Sequence, residues 1–160
     1  MSTSDGGPID ISTMISVDDT MAIRANVEHP EEVAELAARA RSYLESMPWC
    51  KRVVAGWVDS SWGYILGVFY FKLVPADSGA PEYVWIIVGD IPPAYLDVDC
   101  CRTGKDAVGG YLAEMEEWVN RVLCGKPMDE SVIPVNVPPT RKWARELQGR
   151  LDLLRRFILE

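Results

Sequence analysis

The chain has 160 residues, of which 48% are hydrophobic and 25% are charged, and this composition fits one globular domain. Its formal net charge of -8 argues against a broad phosphate-binding surface and against an anionic membrane surface, because both are bound through clustered lysine and arginine. We therefore expect no nucleic-acid partner and no membrane partner, whereas a basic protein partner is compatible with the charge.

The N-terminal residues 1–28 lack a clear hydrophobic period, and we predict a flexible or loosely packed arm there. The apolar residues between Ile9 and Val17 fit either a short strand or an apolar arm. The first ten residues show no secretory signal, and no apolar run reaches the ~20 residues of a membrane span. We expect a cytoplasmic protein of bacterial type with reduced cysteines.

Residues 29–160 are predicted to form a single domain whose first helix begins near Pro30 and ends at Pro48. Glutamates follow the proline and suit the positive end of the helix dipole. Apolar residues then recur at spacings of three and four, which is typical of an amphipathic helix. That apolar face comprises Val33, Leu36, Ala37, Ala40, Leu44 and Met47.

Three strand-like segments follow at 51–58, 64–74 and 82–89, with residues 59–63 as a hairpin loop. Short connections between consecutive strands predict antiparallel pairing. In the second and third segments both alternating sets of residues are apolar, so both faces of the sheet are predicted to be apolar. Either helices cover both faces, or one face is an interaction surface.

A second helix is predicted from Gly104 or Lys105 to Leu123, closed by Gly125. Residues 131–139 contain three prolines, which favour an extended strap across the domain. Thr140 is a suitable N-cap for a last helix, whose apolar seam comprises Trp143, Leu147, Leu151, Leu154 and Ile158. The predicted fold is α+β: a three-stranded antiparallel meander, with four strands as the alternative, flanked by three helices in the order α-β-β-β-α-α.

The sequence gives little support to catalysis. His29 is the single histidine, and its place before Pro30 favours a cap or surface residue over a catalytic base. Cys100 and Cys101 are adjacent at a helix start, where a thiol can be activated, but buried inert cysteine is the commoner state. Cys50 and Cys124 are interpreted as packing residues. We predict no catalytic residue, no metal site and no cofactor.

Two segments partly match known ligand-binding motifs, a phosphate loop and a calcium loop, but each lacks residues that the motif requires. Residues 99–106 lack the first glycine and the final serine or threonine of a phosphate loop, since both positions are aspartate. Asp97 and Asp99 match the start of a calcium loop, which then fails at Cys101 and at Arg102, where its turn needs glycine.

The candidate binding residues are aromatic side chains of the meander and acidic groups that follow it. Trp62 lies at the predicted hairpin loop, where a tryptophan is hard to bury and suits an interface. A pocket near residues 90–101 would use the acidic loop, although solvated turn residues are a common alternative there. The full set is Trp57, Trp62, Tyr64, Trp85, Asp90, Tyr95, Asp97 and Asp99.

Two segments, residues 88–96 (VGDIPPAYL) and 132–140 (VIPVNVPPT), resemble segments of small uncharacterised bacterial proteins, a family of unknown function. The resemblance covers the last two-thirds of the chain. It implies no known activity, and no functional residue follows from it.

The leading hypothesis is a non-catalytic cytosolic protein-binding domain, for example an immunity-type or regulatory inhibitor of a protein partner. One alternative is a small-molecule-binding protein or small enzyme with a pocket near residues 90–101. The other is a structural homo-oligomer, such as a homodimer formed through the last helix or a strand edge.

Overall fold

The computed structural model describes residues 7–127, 135 and 137–156, and it confirms the α+β class. A five-stranded antiparallel sheet lies between two layers of helices. The elements in chain order are β1 (Ile15–Ser16), α1 (Thr20–Asn26), α2 (Pro30–Glu45), β2 (Cys50–Trp62), β3 (Leu66–Pro75), β4 (Tyr83–Gly89), β5 (Ala94–Asp97), α3 (Gly104–Cys124) and α4 (Arg141–Leu154).

The sheet is a meander in which the strand order follows the chain, β1-β2-β3-β4-β5. The longest pairing joins β2 to β3, from Cys50 opposite Pro75 to Trp62 opposite Leu66. The three residues 63–65 connect these strands, and the turn is closed by the Ile65 N–H, which donates to the Trp62 carbonyl at 3.0 Å. We call this β2–β3 connection the hairpin tip.

One face of the sheet packs against α1 and α2. The helix α2 begins at Pro30, as predicted, because proline fits the first turn, and its apolar stripe includes Val33, Leu36, Ala40 and Leu44. These side chains cover Phe69 and Phe71 of β3 together with alternate residues of β4. The predicted alternation of β3 and β4 between two apolar faces is confirmed.

The opposite face packs against α3 and α4. Tyr70 and Trp85 lie at its centre with their rings 5.0 Å apart, and the Trp85 Nε1 donates to the Cys101 carbonyl at 2.8 Å. The Tyr111 hydroxyl of α3 donates to the Pro92 carbonyl at 2.6 Å, which ties this helix to the β4–β5 loop. Both faces of the sheet are therefore covered, and the sheet is a scaffold.

The predicted numbers of strands and helices were too low, since the described residues contain five strands and four helices. The strand β1 has two residues and α1 has seven, so neither is long enough to show a hydrophobic period. Both lie within residues 1–28, where Ile9 and Ile23 are buried. The four-residue β5 follows two prolines and was interpreted as loop.

Several predicted boundaries are confirmed. The helix α3 begins at Gly104 and is closed by Gly125 at a φ of 69°, and the Thr140 hydroxyl caps α4 by accepting from Trp143 N–H.

Three predicted boundaries are corrected. The strand β2 runs on through residues 59–62, which the sequence predicts as a loop. The strand β3 begins at Leu66 rather than at residue 64, and α2 ends at Glu45, before Pro48. Ile158 and most of the predicted strap at 131–139 lie outside the described residues.

Within the described ranges, none of the helices combines the length and the apolar character that crossing a membrane would need.

Candidate functional site

Two of the predicted binding tryptophans lie in the core. Trp85 is fully buried and Trp57 is 9% exposed, and both belong to the core on the sheet face that packs against α3 and α4. The sequence pattern placed them on the meander but could not show that helices cover that face. In this fold their rings are unavailable to a partner, and they contribute to packing instead.

Two of the three exposed aromatic residues in the described part of the chain, Trp62 and Tyr64, lie at the hairpin tip. Trp62, Tyr64 and Ile65 are 38%, 43% and 48% exposed, although most other large apolar side chains of the sheet are buried. The connection has only three residues, so it has no further residues of its own that could fold over these side chains. Exposed tryptophan and tyrosine close together are typical of protein interfaces.

Glutamates of α2 form an acidic rim beside this tip. Glu32 lies next to Gly63, and Glu35 lies close enough to Tyr64 for its charge to act on the hydroxyl. Burial, and then the charges of Glu35, Glu32 and Glu31, raise the pKa of the Tyr64 hydroxyl. We call the group Trp62, Tyr64, Ile65, Glu31, Glu32 and Glu35 the hairpin-tip surface.

The hairpin tip is held in place by the end of β4. Gly89 has a φ of 149°, and a Cβ at this position would collide with the Ile65 carbonyl, so only glycine fits. The Asp90 N–H donates to the same Ile65 carbonyl at 3.1 Å, and Arg39 of α2 donates to the Gly89 carbonyl at 2.9 Å. Helix, tip and strand end are thus joined directly.

Three of the predicted site residues line a different feature, a cavity of about 650 Å³ beside β5. Tyr95, Asp97 and Asp99 lie on one side, and the loop 77–82 lies on the other. Trp49 closes one end, with its ring 5.1 Å from that of Tyr95. We call this feature the β5 cavity. Its volume is within the range of small-molecule sites.

The carboxylates of the β5 cavity have a structural explanation. The Asp97 side chain accepts a hydrogen bond from the Asp99 N–H at 2.8 Å, and its carbonyl accepts one from the Cys101 N–H at 3.0 Å. These are the bonds of a turn that leads from β5 towards α3. Asp97 and Asp99 are both exposed, so their side chains are held at the cavity mouth rather than inside it.

Asp90, the remaining predicted site residue, does not join this cavity. It lies near the opposite end of the sheet, where it pairs with Arg150 of α4 at 3.3 Å. Both residues line a groove of about 410 Å³ that also contains exposed Trp143 and the prolines of the β4–β5 loop. The predicted acidic set is therefore divided between two places.

Among the residues that the structure describes, no nucleophilic side chain is hydrogen-bonded to His29. His29 occupies the N-cap position of α2 without a capping hydrogen bond, and it is exposed, as predicted for a cap or surface residue. His29 and Ser61 line one small cavity, but among the described residues no hydrogen bond joins the Ser61 hydroxyl to His29. A Ser–His arrangement needs that bond.

Three side chains of a type that can bind a cation lie close together at the start of α2. Donor atoms of His29, Glu31 and Glu32 lie within 4.8 Å of one another. Glu31 and Glu32 lie in the first helical turn, where the dipole favours them without a metal.

Two side chains near the start of α3 have a raised pKa: the Cys101 thiol and the half-buried carboxyl group of Asp59. Burial raises the pKa of the Cys101 thiol, which keeps it protonated, while Cys100 is exposed. Burial also raises the pKa of Asp59, whose carboxylate packs against Gly104 at the start of α3. Sequence reasoning missed Asp59 because it assigned this residue to an exposed loop.

No family model matches the chain, and no curated protein and no solved structure is significantly similar to it. The resemblance of residues 88–96 and 132–140 to uncharacterised bacterial proteins stays a prediction. Functional inference for this chain therefore depends on its own geometry.

Proposed function

We propose that this chain is a non-catalytic cytosolic domain that binds a protein partner through its hairpin-tip surface. An immunity-type or regulatory inhibitor is the kind of protein that this proposal describes, because such a protein needs a rigid scaffold and one binding surface rather than a reactive centre.

The observation that supports the proposal is the position of Trp62, Tyr64 and Ile65. The sheet is enclosed on both faces, yet these three large side chains stay exposed side by side at one end of it. Arg39, Gly89 and Asp90 hold that end in one conformation. A rigid, partly apolar surface loses little entropy on binding, which favours recognition of another protein.

A capture experiment with two matched variants tests the proposal. The first variant carries Trp62→Ser, Tyr64→Ser and Ile65→Ser. The second carries Met21→Ser, Val54→Ser and Leu153→Ser, which changes three other exposed apolar residues. Both are first shown to be folded by circular dichroism and thermal unfolding. Wild-type protein and both variants are then used to capture proteins from native lysate with chemical crosslinking.

We expect the wild-type protein and the second variant to capture the same partner, and the first variant to lose it by at least about tenfold, as expected when interface anchors are removed. Equal capture by both variants would contradict the proposal. Repeated failure of the wild-type protein to retain any partner would do the same.

The second candidate function is small-molecule binding or a small enzyme at the β5 cavity. The observation in its favour is the volume of about 650 Å³ with Tyr95 and Trp49 in the wall. A thermal-shift screen of metabolites would test it, with Tyr95→Ala as the control variant. A compound that stabilises the wild-type protein but not this variant would support the second function.

Homo-oligomerisation is the third candidate, and Trp143 and Leu153 of α4 are its exposed apolar residues. Light scattering over a range of protein concentrations tests it directly. A constant monomeric mass would exclude it.

A further inference from the structure

Among the described residues, the glutamates near the hairpin tip have no lysine or arginine partner, whereas three glutamates elsewhere on the helices do. On the rest of the helices, Glu45, Glu116 and Glu117 pair with Arg41, Arg155 and Arg121. Residues 28–35 contain four glutamates, Glu28, Glu31, Glu32 and Glu35, and no lysine or arginine. In the described part of the chain, none of these four forms an ion pair with a lysine or arginine.

The helix dipole accounts for only part of this acidic group. Glu31 and Glu32 lie in the first turn of α2, where negative charge is stabilising. Glu35 lies in the second turn, and Glu28 precedes the N-cap. Their charges therefore remain available to a positive group from outside the chain.

A small notch lies between this acidic group and the exposed tryptophan. Its volume is about 170 Å³, and its walls include Trp62, Gly63, Glu28 and Glu32. No lysine or arginine is among the described residues that line it. An arginine guanidinium suits such a place, because its flat face stacks on an indole ring while its edge binds carboxylates.

We propose that the hairpin-tip surface binds a basic segment of a partner protein, with an arginine of that segment seated between Trp62 and the carboxylates of Glu28 and Glu32. The inference depends on the proposed function and names the chemistry of the partner. Tyr64 and Ile65 then contact the apolar part of the same segment, and Glu35 faces a second positive charge.

A second copy of the chain is a poorer occupant of this surface. A two-fold dimer through the hairpin tip would place acidic residues against acidic residues. The basic helix α4 of another copy is the remaining possibility, but two of its three arginines are already bound within the chain, Arg141 to the Leu123 carbonyl and Arg150 to Asp90. Arg155, which follows the helix, pairs with Glu116.

The test uses two short synthetic peptides of the same length, one with arginine and leucine at alternate places and one with glutamate instead of arginine. Binding to the full chain is followed by isothermal titration and by the NMR signal of the Trp62 indole N–H, assigned with Trp62→Phe. The charge variant carries Glu28→Gln and Glu32→Gln. Its matched control carries Glu114→Gln and Glu146→Gln, two exposed residues of α3 and α4.

We expect the arginine peptide to bind and to shift the Trp62 signal, and the glutamate peptide to bind at least about tenfold more weakly. The charge variant should weaken binding of the arginine peptide by about tenfold, because two charge-assisted contacts are lost, and the control by less than about twofold. Added salt should weaken binding in the same direction.

Equal binding of both peptides, or equal effects of the charge variant and its control, would overturn the inference. If a captured partner depends on Trp62, Tyr64 and Ile65 but not on Glu28 and Glu32, the proposed function stands and the basic-segment inference is wrong. A wild-type dimer that dissociates when Glu28 and Glu32 are replaced would identify a second copy as the occupant, which also overturns it.

Discussion

The hairpin-tip surface and the β5 cavity use similar residue types in opposite ways. At the β5 cavity, Asp97 is occupied by a turn hydrogen bond and Tyr95 packs against Trp49. At the hairpin tip, three large side chains, Glu31 and Glu35 stay exposed, although the backbone of the tip is hydrogen-bonded to the end of β4. Side chains left exposed on a fixed backbone indicate a binding surface more strongly than side chains that complete their own loop.

The largest expected effect is on the free energy of unfolding, and it distinguishes a glycine beside the hairpin tip from a glycine of the β5 cavity. Gly89→Ala should destabilise the protein by more than about 2 kcal/mol, since a Cβ there meets the Ile65 backbone at a φ of 149°. Gly79→Ala, in the cavity wall, meets only ordinary contact with Asp77 and should change stability by less than about 0.5 kcal/mol. Urea unfolding measures both, and similar losses would show that the hairpin tip is not rigidly supported.

The next largest expected effect is the loss of stability when the wall of the β5 cavity is changed. Trp49→Ala removes the ring contact with Tyr95 and should cost about 1–3 kcal/mol in the free energy of unfolding. Because Trp49 is remote from the hairpin tip, capture of a protein partner should stay unchanged. Loss of the partner in this folded variant would move the binding site to the β5 cavity.

A smaller effect compares the two aspartates. Asp97→Ala removes the acceptor for the Asp99 N–H and should cost about 1 kcal/mol. Asp90→Ala removes only an exposed pair with Arg150 and should cost less than about 0.5 kcal/mol. Thermal unfolding of the two variants gives the order, and a reversed order would mean that the cavity turn is not held by Asp97.

The smallest effect is electrostatic and compares two tyrosines. Burial, and then Tyr95, raise the pKa of Tyr43 to about 12, whereas the pKa of Tyr64 is also raised by glutamates. Glu35→Gln or added salt should lower the pKa of Tyr64 and leave that of Tyr43 unchanged, because salt screens exposed charges but not burial. Difference absorbance against Tyr64→Phe and Tyr43→Phe variants measures each pKa.

The raised pKa of Tyr43 also predicts the direction in which folding stability changes at high pH. An unfolded tyrosine ionises near pH 10, and the folded Tyr43 ionises near 12. Folding stability should therefore fall as the pH rises through this interval, and Tyr43→Phe should reduce the fall. An unchanged pH dependence would show that Tyr43 is not protected by the fold.

Local patterns were enough to predict the long elements. Pro30 marked the start of α2, Thr140 the cap of α4, and the alternation in β3 and β4 showed two apolar faces. The short β1 was predicted only as one of two alternatives and β5 was missed, because their pairing depends on the neighbouring strands and not on their own composition.

The candidate site was only partly predictable for the same reason. Exposure of Trp62 followed from its place near a turn, whereas Tyr64 was assigned to a strand, and burial of Trp57 and Trp85 depends on helices far along the chain. The approach of Glu32 and Glu35 to the hairpin tip joins residues about thirty positions apart. No periodicity within either segment contains that information.

The enclosure of the sheet also affects how the sequence of such a protein can change during evolution. Since both faces are filled, a substitution at Trp62, Tyr64 or the α2 glutamates alters no core contact of the sheet. Distant substitutions of this kind add nearly independently to stability. Partner choice can then diverge quickly at one end of the molecule while the folded scaffold is inherited almost unchanged.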